Sequence, residues 1–373
     1  MIKYIGSKRT LVPYISAMVG RLPNVRRVCD LFAGTTRIGQ ALKRSGLQVH
    51  SNDLATYSEV FGTTYIAADA AVIDTERLRR VTTALMALPP VHGYITRTFC
   101  EESRYFQPFN GMKMDAIRAG IDAIAANETE RAILLTSLIE AADRVDSTTG
   151  LQMAYLKGWS ARSFNPLELR LPELIPGTGA VTRMDANALV RQLDADIDLV
   201  YIDPPYNQHS YFSNYHIWET FVRNDAPPTY GIAMKREDCH TEKSAYNSKK
   251  QAGTVFADLL GAIRAPYLLV SFNSEGYFTR DEISAMLGQR GYVASVALDF
   301  KRYVGAQIGI FNPSGEKVGK ISHLRNHEHL FLVGPDRAHV EAAIARIGPP
   351  PTPPDTGGEH EEEARSFPLA TNV

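Results

Sequence analysis

The sequence has few cysteines, no long apolar run and almost no net charge, and each shortage excludes something. Three cysteines in 373 residues, Cys29, Cys100 and Cys239, make no close pair. That spacing offers neither a disulfide framework nor a structural zinc site, and it fits a reduced, cytoplasmic setting. No apolar stretch approaches the roughly 18–20 residues that a membrane span needs, so no membrane partner is expected. The segment MIKYIGSKRT places basic residues where a signal peptide needs its apolar core, so secretion is not expected either. There is no internal repeat. What is present, 44% hydrophobic and 22% charged residues, is ordinary for a globular protein. At roughly 150 residues per domain the length corresponds to about two domains, or one large domain with an insertion.

A formal net charge of -1, from 40 Lys+Arg against 41 Asp+Glu, reads at first against a nucleic-acid partner. The charge is unevenly spread, however. Between Pro349 and Val373 five acidic residues (Asp355, Glu359, Glu361, Glu362, Glu363) face only Arg365; the remainder holds 39 basic and 36 acidic residues, a net of +3. An anionic partner is therefore compatible with the composition. The same tail is rich in Pro, Gly and Glu and buries too little apolar area to offset its ordering entropy. Disorder is predicted over 346–373.

Along the rest of the chain, Arg27 to Phe32 reads as a short buried strand, Ala33-Gly34-Thr35 as a turn, and Ile38, Ala41 and Leu42 as one face of a helix stopped by Gly46. Gln48 to Asn52 is a second strand ending at Asp53. Strand, glycine turn, helix and strand in this order form a βαβ unit, hence part of a parallel sheet. From about Tyr65 to Arg144 apolar residues recur at helical spacing, and Ser147 to Pro172 reads as irregular. Strand signals return at Ala180–Thr182, Asp198–Ile202, Tyr267–Phe272, Tyr292–Leu298 and Glu328–Val333. The expectation is a doubly wound α/β fold, 1–65 with 172–345, interrupted by a helical insertion at 66–171.

The strongest chemical signal is Asp203-Pro204-Pro205-Tyr206, directly after the apolar run Leu199–Ile202. Ligands of open α/β sheets bind beyond the carboxyl ends of strands. The prolines stiffen the backbone and remove two donors, leaving carbonyls free to accept. A carboxylate, a carbonyl and an aromatic ring in four residues suit a planar ring that bears an amino group. A rigid turn with Asp203 as a cap is the plainer alternative.

The second signal is Asp30-Leu31-Phe32-Ala33-Gly34-Thr35, followed by Asn52-Asp53. Glycine at a strand end allows close approach of a ligand, and Asp53 lies 19 residues beyond Gly34, about where an acidic side chain holds ribose hydroxyls. Thr36 stands where a dinucleotide fingerprint needs its second glycine, and Gly34 to Gly39 runs into Gln40-Ala41 rather than the Lys-Ser/Thr of a P-loop. A tight βα turn without a ligand is the alternative. The third signal is Lys3-Tyr4-Ile5-Gly6-Ser7-Lys8.

Together these elements resemble the Dam-like DNA adenine-N6 methyltransferases of the alpha motif arrangement. In that family K-[WY]-x-G-x-K, D-x-F-x-G-T, N-D and D-P-P-[YFW] follow one another in this order. The resemblance extends over roughly Met1 to Val333, and includes Asn207, Tyr215 and His216 and the run Ser271 to Gly276. Thr36 departs from the second glycine of many members. The resemblance implies a Rossmann-like fold that binds S-adenosylmethionine, with Asp30, Phe32, Gly34 and Thr35 along its methionine portion. Asp53 would take the ribose hydroxyls and Asp185 the adenine amino group, the latter while also capping the helix that follows. Tyr4, Gly6 and Lys8 would close over the methionine end, unless Lys8 reaches DNA.

The reaction so implied is methyl transfer to adenine N6 in a short duplex DNA sequence. Asp203 and the Pro204 carbonyl would localise the lone pair of the amino group, while Pro205 stiffens the turn and Tyr206 stacks on the flipped base. Arg97, Arg104, Lys113, Arg144, Lys157 and Arg162 in the insertion are candidate DNA contacts, with Gln107 and Asn110 as base readers. The long stretch 207–250, carrying Lys243, Lys249 and Lys250, reads as a binding loop or an unstructured one. His323, His327 and His329 lack a wider ligand pattern, so no metal is expected. A cognate restriction endonuclease is a candidate partner. The rivals are methylation of cytosine N4 or of adenine in RNA, and a silent DNA-binding module.

Overall fold

The computed structural model describes residues 2–4, 8–301, 325–345 and 347. Gly6, His323 and, apart from Ile347, the acidic tail lie outside these residues. Nine strands occur among the described residues: β1 Arg27–Asp30, β2 Gln48–Asp53, β3 Ala180–Arg183, β4 Leu199–Ile202, β5 Thr229–Tyr230, β6 Lys235–Arg236, β7 Tyr267–Asn273, β8 Tyr292–Lys301 and β9 Arg325–Gly334. β5 and β6 form a small ribbon. The other seven make one sheet in the order β3-β2-β1-β4-β7-β9-β8.

β3, β2, β1, β4 and β7 run parallel, with Val28 opposite both Val49 and Leu199, and Leu199 opposite Tyr267. Every residue of β4 is buried, as a parallel strand covered on both faces requires. β9 joins β7 in antiparallel fashion and β8 joins β9 likewise, so an antiparallel pair extends the expected parallel sheet. The chain moves outward from β1 through β2 to β3, then returns to lay β4 on the other side of β1. Ligands bind in the crevice at such a switch point. Asp30 ends β1 there, and Asp203 immediately follows β4.

Three long helices fill the connection between β2 and β3: Thr75–Ala87, Pro108–Ile124 and Glu128–Arg144. Asp74 accepts from Arg77 N and Asn127 from Glu130 N, capping the first and third. Leu78, Val81 and Leu85 share one buried cluster with Ile117, Ile121, Leu134 and Leu138, and that cluster continues into Val28, Leu199 and Leu269 of the sheet. The helical segment is thus one layer against the sheet. On the opposite face Phe256, Leu259, Ile283 and Leu287 cover Val200, Leu268 and Phe331.

The stretch 207–250 is folded. Its helix His216–Arg223 buries Ile217, Trp218 and Phe221, and the buried Glu219 accepts from Thr56 N at 2.8 Å and from the Thr56 hydroxyl. No helix among the described residues is long and apolar enough to cross a membrane.

Candidate active site

The turn after β1 is held from several sides. Ala33 N donates to Asn52 O at 2.9 Å, Gly34 N donates to Asp53 Oδ2 at 2.8 Å, and Ser58 Oγ donates to Gly34 O. Gly34 has φ +51°, and a Cβ built on it would lie 3.1 Å from Tyr4 Oη, so glycine is required twice over. Thr36 also sits in the left-handed region, at φ +59°, where a β-branched residue is strained. Gln40 Nε2 donates to its hydroxyl at 3.0 Å. Asp30 is buried and accepts from Gly39 N at 3.0 Å; burial, chiefly, raises its carboxyl to about 7.

The N-terminal segment lies over this turn because two side chains anchor it. Lys3 Nζ donates to Asp143 O at 2.7 Å and Asp146 Oδ1 at 2.8 Å. Tyr4 stacks on Tyr215 at 4.4 Å and Tyr211 at 5.5 Å, a favourable offset of aromatic faces. Lys8 lies in the same site. Its ammonium is 3.1 Å from Asp203 Oδ1 and pairs with Glu328 of β9. Burial alone would lower the pKa of Lys8, but the two carboxylates hold it well above the ordinary range.

Asp203 Oδ1 also accepts from Ser271 Oγ at 2.9 Å, and the Ser271 hydroxyl is 2.9 Å from Tyr201 Oη. Burial raises the Asp203 carboxyl to about 6 against the opposing pull of Lys8. Among the described residues Oδ2 has no hydrogen-bond partner, which leaves it for an amino group. Tyr206 is half-buried, with its ring 5.6 Å from that of Phe272 and 5.7 Å from Lys8 Nζ.

A cavity of about 430 Å³ opens at the switch point, within the range of small-molecule sites. Tyr4, Lys8, Asp30, Phe32, Gly34 and Thr35 line it, and so do Asp53, Asp185, Asp203 and Pro205. Ten of the twelve expected catalytic and cofactor residues among those described therefore meet at one place. Pro204 and Tyr206 stand off its wall. Asp185 does cap its helix, accepting from Ala188 N at 3.0 Å. Arg183 and Arg223 also line the cavity and were not expected from the sequence. Nor was Glu328, although an acid on the same face of β9 as Leu330 and Leu332, in a strand whose residues 330–333 are all buried, is the signal that marks it.

The candidate DNA contacts divide. Asn110 is 1% exposed; its amide donates to Ser163 O and Asn165 O, and its Oδ1 accepts from Leu167 N at 2.8 Å. It staples the irregular segment to a helix and has no capacity to read a base, which corrects that expectation. Arg162 is engaged with Asp146 at 2.6 Å, Arg144 with Glu168 O at 2.6 Å, and Lys113 with Leu88 O at 2.6 Å. Arg97 is exposed and lies over Tyr94, and Arg104 lies over Trp159. Lys157 and Gln107 are half-buried. His216 is fully buried, with Nε2 2.8 Å from Gln152 O; burial pushes it down to about 3. It is therefore neutral and structural.

A family model described as D12 class N6 adenine-specific DNA methyltransferase matches residues 4–282. The type II methyltransferase M.NlaIII of Neisseria lactamica is 32% identical over 317 residues, which cover 81% of this chain and 92% of that protein. Modification methylase StsI of Streptococcus sanguinis is 31% identical over 81% of this chain, and the type II methyltransferase M.FokI of Planomicrobium okeanokoites 32% identical over 78%. The aligned region spans about half the length of those two proteins, 49% and 47%.

Proposed function

The chain belongs to the family of D12 class N6 adenine-specific DNA methyltransferases, and from that premise we propose how its residues divide the work of site-specific adenine methylation. The observation that carries the reading is one cavity, at the β1/β4 switch point, walled by both the Gly34 turn and Asp203.

The family implies S-adenosylmethionine as methyl donor, and the residues present fit it. Asp30, Asp53, Asp185 and Asp203 line the cavity together with Lys8, Arg183 and Arg223, a mixed lining that suits a sulfonium cation bearing N–H and O–H donors and a carboxylate. When bound, S-adenosylmethionine supplies an electrophilic methyl group on a sulfonium. Asp30, Phe32, Gly34 and Thr35 would hold its methionine portion and Tyr4 would cover that end. Asp53 would take the ribose hydroxyls; both its oxygens already accept from backbone N–H groups, and each keeps a further lone pair. Asp185 would accept from the adenine amino group.

The target adenine must leave the helix, at a cost of a few kcal/mol. Pro204, next to Asp203, would offer its carbonyl to one N6 hydrogen, and Tyr206 its ring for the base to stack on. Asp203 Oδ2 would accept the other hydrogen, localise the N6 lone pair and afterwards take the proton. An acid held near 6 suits that transfer at neutral pH. The helices within 66–171 would read the DNA sequence, with Arg97, Arg104 and Lys157 the residues best placed to meet phosphates. Relatives named as type II methyltransferases and modification methylases support a cytoplasmic place beside a restriction endonuclease of matching specificity.

The test is Asp203→Ala, assayed for both methyl transfer and binding of S-adenosylmethionine. Transfer is expected to vanish while binding weakens only modestly. Equal losses in both would show that Asp203 serves to hold the methyl donor.

A further inference from the structure

A half-buried carboxylate, Asp203, and a buried one, Glu328, share one buried ammonium, Lys8. Lys8 and Glu328 are 8% and 6% exposed, so bulk water does little to screen the group. Glu328 is fixed from its far side. It lies opposite Asn273 in the β7/β9 pairing, and Asn273 Nδ2 donates to its Oε2 at 2.9 Å. The strand next to it is pinned by Ser274 N, which donates to His327 O at 3.0 Å.

We infer that Glu328 is a positioning residue for methyl transfer: it neutralises Lys8 and so leaves the carboxylate of Asp203 as the net charge that faces the reacting amino group. The inference rests on the reading of Asp203 given above. Charge counting makes the case. With Asp203 and Lys8 alone the pair is neutral, and the ammonium would repel the positive charge that grows on N6 as the methyl group arrives. With Glu328 the cluster carries −1, held in place before reaction and needing no reorganisation. Removing Lys8 alone would leave two carboxylates together, a state that favours protonation of one of them.

The other titratable groups that face Asp203 are Asp30 on β1, Tyr201 on β4, and Tyr206 and Tyr211 after it. The three tyrosines are held neutral by burial. Asp30 is tied to Gly39 N. His327 and His329 flank Glu328 on β9 and alternate to the other face of the strand; His327 is exposed, and His329 lies in a small depression beside Phe272 and Arg280. Glu328 is thus the acidic partner of Lys8 besides Asp203.

The experiment is single-turnover methyl transfer to duplex DNA across pH, with binding of S-adenosylmethionine and melting measured in parallel. Glu328→Gln should slow transfer on the order of tenfold to a hundredfold with methyl-donor affinity unchanged. Because Glu328 raises the pKa of Asp203, the acid limb of the rate profile should move to lower pH. Glu328→Asp keeps the charge and should keep the limb in place. Lys8→Met combined with Glu328→Gln restores a net −1 and should transfer faster than Glu328→Gln alone. A wild-type rate and limb in Glu328→Gln overturns the inference. So does an equal displacement of the limb by Glu328→Asp, which would make packing the cause. If Glu328→Gln does not fold, the double variant decides: one slower than Lys8→Met contradicts the charge argument. Asp203→Asn is the separate control. If it still transfers methyl groups, the reading of Asp203 itself fails, whatever the Glu328 variants do.

Discussion

Lys8 Nζ lies 3.1 Å from Asp203 Oδ1, joining the start of the chain to the loop that follows β4. Lys3 and Tyr4 are anchored nearby, on Asp146 and Tyr215, and the Lys8 contact bears on the ionisation on which the proposed chemistry turns.

The first prediction follows from that ionisation. Asp203 must be a carboxylate to accept from N6, and burial raises it to about 6. Transfer should therefore be full above that value and decline as pH falls through about 6, as the carboxylate takes up a proton. The single-turnover rate, followed from pH 5 to 8, checks this. A rate independent of pH down to 5 would mean that the ionisation of Asp203 does not limit transfer.

Gly34→Ala should be damaging in two ways. A side chain at φ +51° costs about 1–2 kcal/mol, and its Cβ would press on Tyr4 Oη. We expect a lower melting temperature and a marked loss of affinity for S-adenosylmethionine, read by calorimetry. Retained affinity would show that the turn does not form the donor site.

Asn110→Ala removes two buried hydrogen bonds and one part-buried one, and each buried group left unpaired costs about 1–3 kcal/mol. Stability should fall by about 2 kcal/mol or more, without any change in the DNA sequence methylated. Arg97→Ala should behave in the opposite manner, keeping the melting temperature while lowering DNA affinity and flattening its salt dependence. A changed sequence preference in the Asn110 variant would return that residue to base reading.

Much of this site is legible in the sequence because its parts are local. Asp30 to Thr35 and Asp203 to Tyr206 each follow a buried strand, and strand ends at a switch point converge whatever lies between. The remainder depends on contacts between distant segments. Lys8 reads equally as a cover for the methyl donor or a DNA contact, since only the fold shows it meeting Asp203. Glu328 is masked by two flanking histidines that suggest a metal pattern, while its place just before the fully buried run Leu330 to Val333 is the informative feature. Asn110 looks like a base reader because a polar side chain on a helix is usually solvated; here backbone groups of a segment without regular structure claim it. The helix His216–Arg223 escapes notice because it spans only two turns of a long, aromatic-rich stretch that reads as a loop.

The central claim is that the Asp203 site methylates adenine N6 in duplex DNA. It is tested most directly by incubating the protein with radiolabelled S-adenosylmethionine and duplex DNA, RNA or neither, and digesting the products to nucleosides. The account predicts label in N6-methyldeoxyadenosine with duplex DNA alone, and none with Asp203→Asn. Label confined to N4-methylcytosine or to RNA, or undiminished label with Asp203→Asn, would contradict it.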